Sequence, residues 1–399
     1  MKPITYITRD IERALGMEPS PSYRIVCNKC PYSELIKTRF PDYVTLIEAT
    51  SKVMGTSDLI NKFSENNKPA PDNNNLLVFK NSSRVETTAV TNGWHIINPK
   101  ASLGEEIETK ISQIEWLGDL GKKYLPQHTV MPVKSVTWTK EPFILQWDHG
   151  HTGGGTLLIN SENDLKSLKQ RFPERLARRT TFVRGPSFTV NVVVGAQKIL
   201  VGNISYQITG ILPFTDNMFA TVGNDWGLTH SLLNEEEIEY IQEMAKKIGT
   251  KMNIAGWRGL FGIDVIRDDD HNVINLIEIN ARQPASATLE SQLQQQYRAQ
   301  GVKGLTTFEA HVKALQGEEI KDEFIPINDG AQILQRITRK TQTVPAEKIA
   351  QIESLGYTTL SYANTMHNED LVRIQSPFGI METHGRFNKR GKEILDIIS

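Results

Sequence analysis

The sequence predicts an α/β protein, and three observations carry that prediction. Short apolar strand runs alternate with helical stretches over the first hundred residues, the pattern of a parallel sheet with crossover helices. A glycine-rich loop, HGHTGGGT at 149–156, lies between two strand-like runs. Further on, two apolar runs joined by a polar turn at Asp268–Asn272 carry Asp264, Glu278 and Asn280 within them, with Arg282 just beyond. Acidic side chains inside an apolar strand are costly unless something cationic compensates them.

The bulk numbers narrow the class. A chain of 399 residues can hold two or three domains and a sizeable core. Its hydrophobic and charged fractions, 39% and 23%, are ordinary for a soluble globular protein. A formal net charge of −1 argues against broad electrostatic binding to nucleic acid or membrane. No apolar run reaches the length of a membrane span, and the opening MKPITYITRD lacks the apolar core of a signal peptide. Two cysteines exclude a secreted disulfide scaffold. The expectation is a cytoplasmic enzyme or binding protein. Cys27 and Cys30 form a CxxC, open to a redox pair but not to zinc, which would need two further ligands that no nearby spacing supplies; two isolated cysteines read first as a strand end entering a loop.

Taken in order, Tyr23–Cys27, Tyr43–Ile47, Leu76–Phe79 and Trp94–Ile97 are predicted strands of a first, largely parallel segment, residues 1–104. Asn98-Pro99 closes it. Ser102-x-x-Glu105 is a capping-box pattern. The predicted helix after it places Ile107, Ile111, Ile114 and Leu117 on one face, with Lys110 in its first turns. A second segment, 105–319, follows, with a lid at about 128–205. Within it Phe143–Trp147 and Leu157–Ile159 are predicted strands, Ser161–Phe172 a helix, Phe182–Pro186 a strand and turn, and Phe188–Val194 a strand rich in β-branched residues. Asn234 caps a predicted helix that Gly249 ends. Residues 297–317 read as one helix, with Phe308, Val312 and Leu315 at helical spacing. The third segment, 320–399, has predicted strands at Gln332–Ile337 and Leu371–Ile374 and helices at Ala346–Leu355 and Lys389–Ile398.

Strand side chains alternate with a period of two, so Glu278 and Asn280 share a face. A turn centred near His271 places Asp264 opposite Glu278. Two carboxylates and an amide are hard oxygen ligands suited to magnesium, which keeps its other positions for water and phosphate. The competing reading is a solvated outer face; it accounts for Asp268 and Asn275 but not for Glu278, Asn280 and Arg282, which alternate with Ile277, Ile279 and Ala281. In the loop, Gly153, Gly154 and Gly155 let backbone N–H groups approach phosphate oxygens, and Thr156 follows them. No GK[ST] follows, so this is not a P-loop.

Together these pieces resemble the ATP-grasp ligases, over roughly residues 95–320. The resemblance implies an ATP-grasp fold, α/β with α+β character in the lid, preceded by a Rossmann-like domain and followed by a small C-terminal one. It implies ATP and magnesium, or manganese in its place. Lys110 matches a phosphate-contacting lysine and 153–156 the lid loop. The run from Phe182 to Val190 resembles the hinge, where backbone groups of Phe182 and Val183 would bond adenine. Asp264, Glu278 and Asn280 match the metal ligands, and Arg282 a residue that holds phosphate or the substrate carboxylate. Three positions depart from the family. Gln146 stands where a lysine usually points at the phosphates, Ser187 where an acid usually meets the ribose, and Thr180 where an acid stands near the start of the hinge. His149 or His151 supplies part of the missing donor capacity, or both are simply exposed loop residues.

The implied reaction activates a carboxylate as an acyl phosphate, which an amine then displaces to give an amide or peptide bond. Its partners are a small carboxylic acid and an amine, with no nucleic acid or membrane; a homodimer is compatible, since many relatives dimerise. Arg258 is a candidate for gripping the substrate carboxylate. The runs 203–207 and 223–226 are candidates for the acceptor pocket, or connecting loops. The alternatives are a catalytically silent nucleotide-binding regulatory protein, which Gln146 favours, and a phosphotransferase on the same site.

Overall fold

The computed structural model describes residues 2–49, 52–70, 74–148 and 155–399. Five parallel strands form the first sheet, in the order Val44–Ile47, Tyr23–Asn28, Ile4–Ile7, Asn75–Val78 and His95–Ile96. Helices Pro31–Arg39, Thr56–Ser64 and Ser83–Thr91 connect them. One face buries Ile4, Tyr6, Ile25 and Leu77; the other buries Ile7, Val26, Leu76 and Val78. The central strand, Ile4–Ile7, is the one the sequence did not announce. All four of its residues are buried, so it shows no polar face whose alternation would mark a strand. Cys30 proves to be a helix N-cap: its Sγ accepts from the Ser33 N–H at 3.4 Å.

A four-stranded antiparallel sheet follows, in the order His128–Pro132, Leu176–Thr181, Phe143–Trp147 and Thr156–Ile159. One face carries Phe143, Leu145, Trp147 and Ala177 against Leu165 of the helix Glu162–Arg171. By strand alternation the other face carries Ile144, Gln146, Arg178 and Thr180, which line a cleft. Ser187–Val194, expected within the lid, belongs to a different sheet.

That sheet has eight strands, ordered Val273–Asn280, Gly259–Asp268, Ser187–Val194, Ile199–Thr209, Thr221–Asp225, Ala331–Arg336, Asp370–Ser376 and Thr358–Ser361. Its last three strands come from the third segment. The core is correspondingly continuous, running from Ile107 and Phe261 to Ile374 and Ile398. The runs 203–207 and 223–225, left open between pocket and loop, are sheet interior.

Three helix expectations fail. The helix after Asn234 has its capping box, closed by Glu237, but runs on to Ile254. Gly249 lies inside it, where an added Cβ would meet Ile199 Cγ2 at 2.7 Å, so this glycine serves close helix–sheet approach and not termination. Residues 297–317 are not one helix: Ala287–Ala299 and Thr307–Leu315 are separated at Gly301 and Gly304, whose φ values are 96° and 140°. Ser102 does not cap. The helix begins at Ala101, whose N–H donates to Glu86 Oε1 at 2.7 Å, and it ends at Glu108.

Candidate active site

The acidic hairpin folds in the expected register, with Asp264 paired opposite Glu278. A bulge between Asp264 and Val265 turns the strand locally, and both Ile277 and Glu278 line the cleft. The turn is closed by Asp268, whose Oδ1 accepts from the N–H groups of Asp270 at 2.9 Å and His271 at 3.1 Å. Asp268 is therefore a buried turn cap and not the solvated face residue the sequence suggested.

Asp264 collects three donors: Thr189 Oγ1 at 2.7 Å and Gln207 Nε2 at 2.8 Å on Oδ1, and Asn280 Nδ2 at 2.9 Å on Oδ2. Its carboxyl is nonetheless pushed up to about 6, first by burial and then by the Glu278 charge. Lys110 Nζ lies 2.7 Å from Glu278 Oε1. The chain brings Lys110 there by leaving the helix. Thr109 is extended, and the backbone N–H groups of Lys110 and Ile111 turn onto Asp148, at 3.3 Å to its carbonyl and 3.2 Å to Oδ1. The expected helix 107–117 is thus two helices with Lys110 in the break. Arg282 Nε meets Glu108 Oε1 at 3.1 Å, and Lys80 Nζ meets Glu108 Oε2 at 2.7 Å.

Among the described residues no group of three or more His, Cys, Asp or Glu side chains is placed to hold a metal ion. A cation at the hairpin would rest on Asp264, Glu278 and the Asn280 amide. Those donors fit magnesium, because two carboxylates in register and an amide are hard oxygen ligands, and burial and the Glu278 charge both raise the Asp264 carboxyl, which a cation would relieve.

On the lid face Gln146 pairs opposite Arg178 in the strand register, and Ile144 opposite Thr180. Gln146 Nε2 donates to Thr156 Oγ1 at 3.4 Å, while its Oε1 is buried without a partner. Gly155 and Thr156 line the cleft; Gly153, Gly154, His149 and His151 lie outside the described residues. Arg178 is the residue the sequence reading passed over. It is 1% exposed, and its Nε and Nη1 have no hydrogen-bond partner. Burial lowers its pKa to about 10, with Glu278 acting against the shift. Its sequence signal was weak: it lies in LARRTT, on a different strand from Ile144 and Gln146, and only the register sets it across from Gln146.

The strand ends at Thr181, so 182–186 is irregular and not the strand expected. Phe182 and Val183 line the cleft outside the strand ladder, as does Ser187 at the head of the next strand. The hinge is tied to the hairpin by Asp269 N–H to Arg184 O and Arg267 N–H to Pro186 O, both 3.0 Å. Gly185 has φ 143°, and a Cβ there would lie 2.0 Å from Arg267 O. Gly185→Ala is expected to destabilise the protein by about 2 kcal/mol through this strained, crowded position, read as a lowered urea midpoint at unchanged slope.

The four- and eight-stranded sheets, together with Arg13, Phe79 and Lys80 from connecting segments of the first domain, line one cleft of about 560 Å³. Apolar Ile144, Ile266 and Ile277 lie near the hinge, the acids and Lys110 at the hairpin, and Arg13, Arg336 and Arg373 with Asp370 at the far end. Arg13 Nη1 and Arg336 Nε are buried there without a hydrogen-bond partner. Gln207 and Asn224, from the two runs left open by sequence, also line it. Arg258 is not brought to the cleft: its Nη1 donates to Asn253 Oδ1 at 3.1 Å and Trp257 O at 2.6 Å, fastening the end of the preceding helix.

Residues 107–286 match the ATP-grasp domain family. No curated protein matches the chain. Among solved structures, N5-carboxyaminoimidazole synthetase from Staphylococcus aureus is similar at 12% identity and TM-score 0.65, covering 100% of this chain and 97% of that one. The Aspergillus clavatus N5-carboxyaminoimidazole synthase, in complex with ADP and 5-aminoimidazole ribonucleotide, gives 13%, 0.64, 100% and 98%. An L-amino acid ligase from Bacillus licheniformis gives 12%, 0.62, 100% and 97%. At these identities the likeness is one of fold.

Proposed function

The chain carries an ATP-grasp domain on an ATP-grasp fold, and from that premise we propose that it is an ATP- and magnesium-dependent ligase joining a carboxylate to an amine. The observation that carries this reading is the hairpin constellation: Asp264 and Glu278 in register, Asn280 beside them, and Lys110 at 2.7 Å from Glu278. Magnesium, held by the two acids and the amide, would neutralise the nucleotide's β- and γ-phosphates. The chain's own groups do the positioning. Ile144, Ile266 and Ile277 offer apolar walls for a purine beside the hinge backbone. Lys110 sits where it can exchange Glu278 for a phosphate oxygen. Arg282, held by Glu108, faces the space where a substrate carboxylate would approach the γ-phosphorus.

In this proposal the carboxylate oxygen attacks that phosphorus, the bond to the β-bridging oxygen breaks, and ADP leaves with an acyl phosphate formed. The amine then attacks the acyl carbon and phosphate departs. The catalytic contribution is orientation and charge stabilisation in a site closed to water. The far end of the cleft, with Arg13 Nη1 and Arg336 Nε unpartnered, suits an acid group on one of the substrates. The structural neighbours, one an L-amino acid ligase and one in complex with an aminoimidazole ribonucleotide, support substrates of this size.

The test is magnesium-dependent ADP release from ATP with mixed carboxylic and amino acids, followed by mass spectrometry of the product. Amine-dependent release with an amide product is expected. A phosphorylated product without any amine requirement would make the protein a phosphotransferase, and tight nucleotide binding with no turnover on any acid would make it a regulator. Arg282→Ala is expected to lower kcat/KM for the carboxylate substrate by about 100-fold while leaving ADP affinity within about threefold.

A further inference from the structure

Seven cationic side chains line the cleft: Arg13, Lys80, Lys110, Arg178, Arg282, Arg336 and Arg373. Six have a carboxylate within 4 Å. Arg13 meets Glu12, Lys80 and Arg282 share Glu108, Lys110 meets Glu278, and Arg336 and Arg373 flank Asp370. Among the described residues Arg178 alone has none. It is also among the most buried of them, at 1% exposure, and its Nε and Nη1 lack any hydrogen-bond partner. The glycine-rich loop beyond it, HGHTGG at 149–154, contains no acid that could pair with it.

A desolvated guanidinium with unmatched N–H groups is unfavourable unless an anion completes it. Among the described residues the lid face offers none. Gln146, directly across the strand pair, is neutral, and Thr180, two residues on along the same face, is a hydroxyl. Glu278, with hinge residues Phe182 and Val183 and hairpin residues Asp264 and Lys110, lines the same cleft as Arg178 and acts on it with opposite charge. Arg178 therefore looks toward the space between the hinge and the hairpin, where a bound nucleotide would carry its polyphosphate.

We propose that Arg178 is a phosphate-binding residue for the nucleotide, delivering from the neighbouring strand the positive charge that Gln146 does not provide. This rests on the nucleotide-binding reading above. It also removes the main argument for a silent regulator, since the cleft is not short of a cation but holds it one strand over. The planar fork of arginine would grip two phosphate oxygens, which an ammonium at position 146 would contact only as a point charge.

The test measures dissociation constants for ADP with magnesium and for adenosine, by calorimetry on the full chain. The deciding quantity is the ratio of adenosine to ADP affinity, because a structural role for Arg178 would weaken both ligands alike. Arg178→Met is expected to weaken ADP by about 100-fold and adenosine by no more than about threefold. Arg178→Lys should shift the ratio in the same direction by about tenfold or less. The double variant Gln146→Lys, Arg178→Met, which moves the charge across the registered pair, should recover most of the ADP affinity. An unchanged ratio in the variants overturns the proposal, and if the Met variant does not fold, the Lys variant decides alone. A wild-type protein that binds neither ADP nor adenosine would overturn the nucleotide reading and this proposal together. A wild-type protein that binds ADP, with variants that bind it equally well, would sink the Arg178 assignment only.

Discussion

Glu278→Gln is expected to lower the rate of magnesium-dependent ADP release by about 10³-fold, equivalent to about 4 kcal/mol of transition-state stabilisation. The amide preserves the shape of the side chain and the strand register opposite Asp264, so the loss isolates charge. Two things change at once. The metal loses one of its two anionic ligands, and Lys110 Nζ, 2.7 Å from Glu278 Oε1, loses the partner that positions it. The Asp264 carboxyl, raised to about 6 by burial and by the Glu278 charge, then ionises more readily, but one carboxylate does not replace two. Asp268→Asn is the internal control. It lies on the same hairpin, yet its carboxylate caps the turn, accepting from Asp270 and His271. That change is expected to alter stability modestly and the rate by less than about threefold. A Glu278→Gln enzyme within tenfold of wild type would overturn the metal assignment. Steady-state rates at saturating ATP over a magnesium titration check both variants.

The hairpin was legible because its chemistry contradicts its pattern. Acids and an amide at alternating positions in an apolar strand have few explanations, and period-two counting from a turn near His271 suffices to place Asp264 against Glu278. Helix starts marked by side-chain caps, such as Asn234 with Glu237, were legible for the same reason: the signal is local. What stayed hidden depends on partners distant in sequence. Gly249 reads as a terminator until the Ile199 side chain is seen against it. Lys110 reads as helical until Asp148 is seen taking the backbone N–H groups that break the helix. Arg178 sits in LARRTT, a run with no apolar alternation strong enough to announce a strand. Its importance appears only when the register sets it across from Gln146. Arg258 failed in the opposite sense: an arginine beside the metal strand in sequence is spent on Asn253 and the Trp257 carbonyl. The segment from about 320 has its strands legible, but not their destination: Ala331–Arg336 and Asp370–Ser376 extend the central sheet.

That extension sets the second large effect, at Asp225. This side chain is fully buried, with 0% exposure, and its two oxygens accept three backbone N–H groups: Leu228 at 3.0 Å, Ile380 at 2.7 Å and Met381 at 2.8 Å. Beside it Asp329 Oδ1 accepts from Gly330 at 2.8 Å and Gly379 at 2.5 Å. The pair fastens the segment around 379–381, which leads into the C-terminal hairpin and helix, onto the edge of the strand Thr221–Asp225. Burial holds the Asp225 carboxyl above the usual carboxylate range, more than its N–H donors lower it. Its value to the fold is as the acceptor of those three buried N–H groups. Asp225→Ala, which strands three buried N–H groups, is expected to cost about 3–5 kcal/mol, and Asp225→Asn, which keeps one acceptor oxygen, about 1–3 kcal/mol. Urea unfolding of the two variants checks the order; equal costs would mean that charge, not acceptance, matters there. The consequence reaches the cleft, because Arg336, Asp370 and Arg373 stand on strands of this same segment. At a temperature where Asp225→Asn remains folded, its ADP affinity should match wild type while KM for the substrate bound at the arginine end rises. That split would follow from a fold in which the nucleotide is held by the lid and hairpin and the substrate by the strands that Asp225 secures.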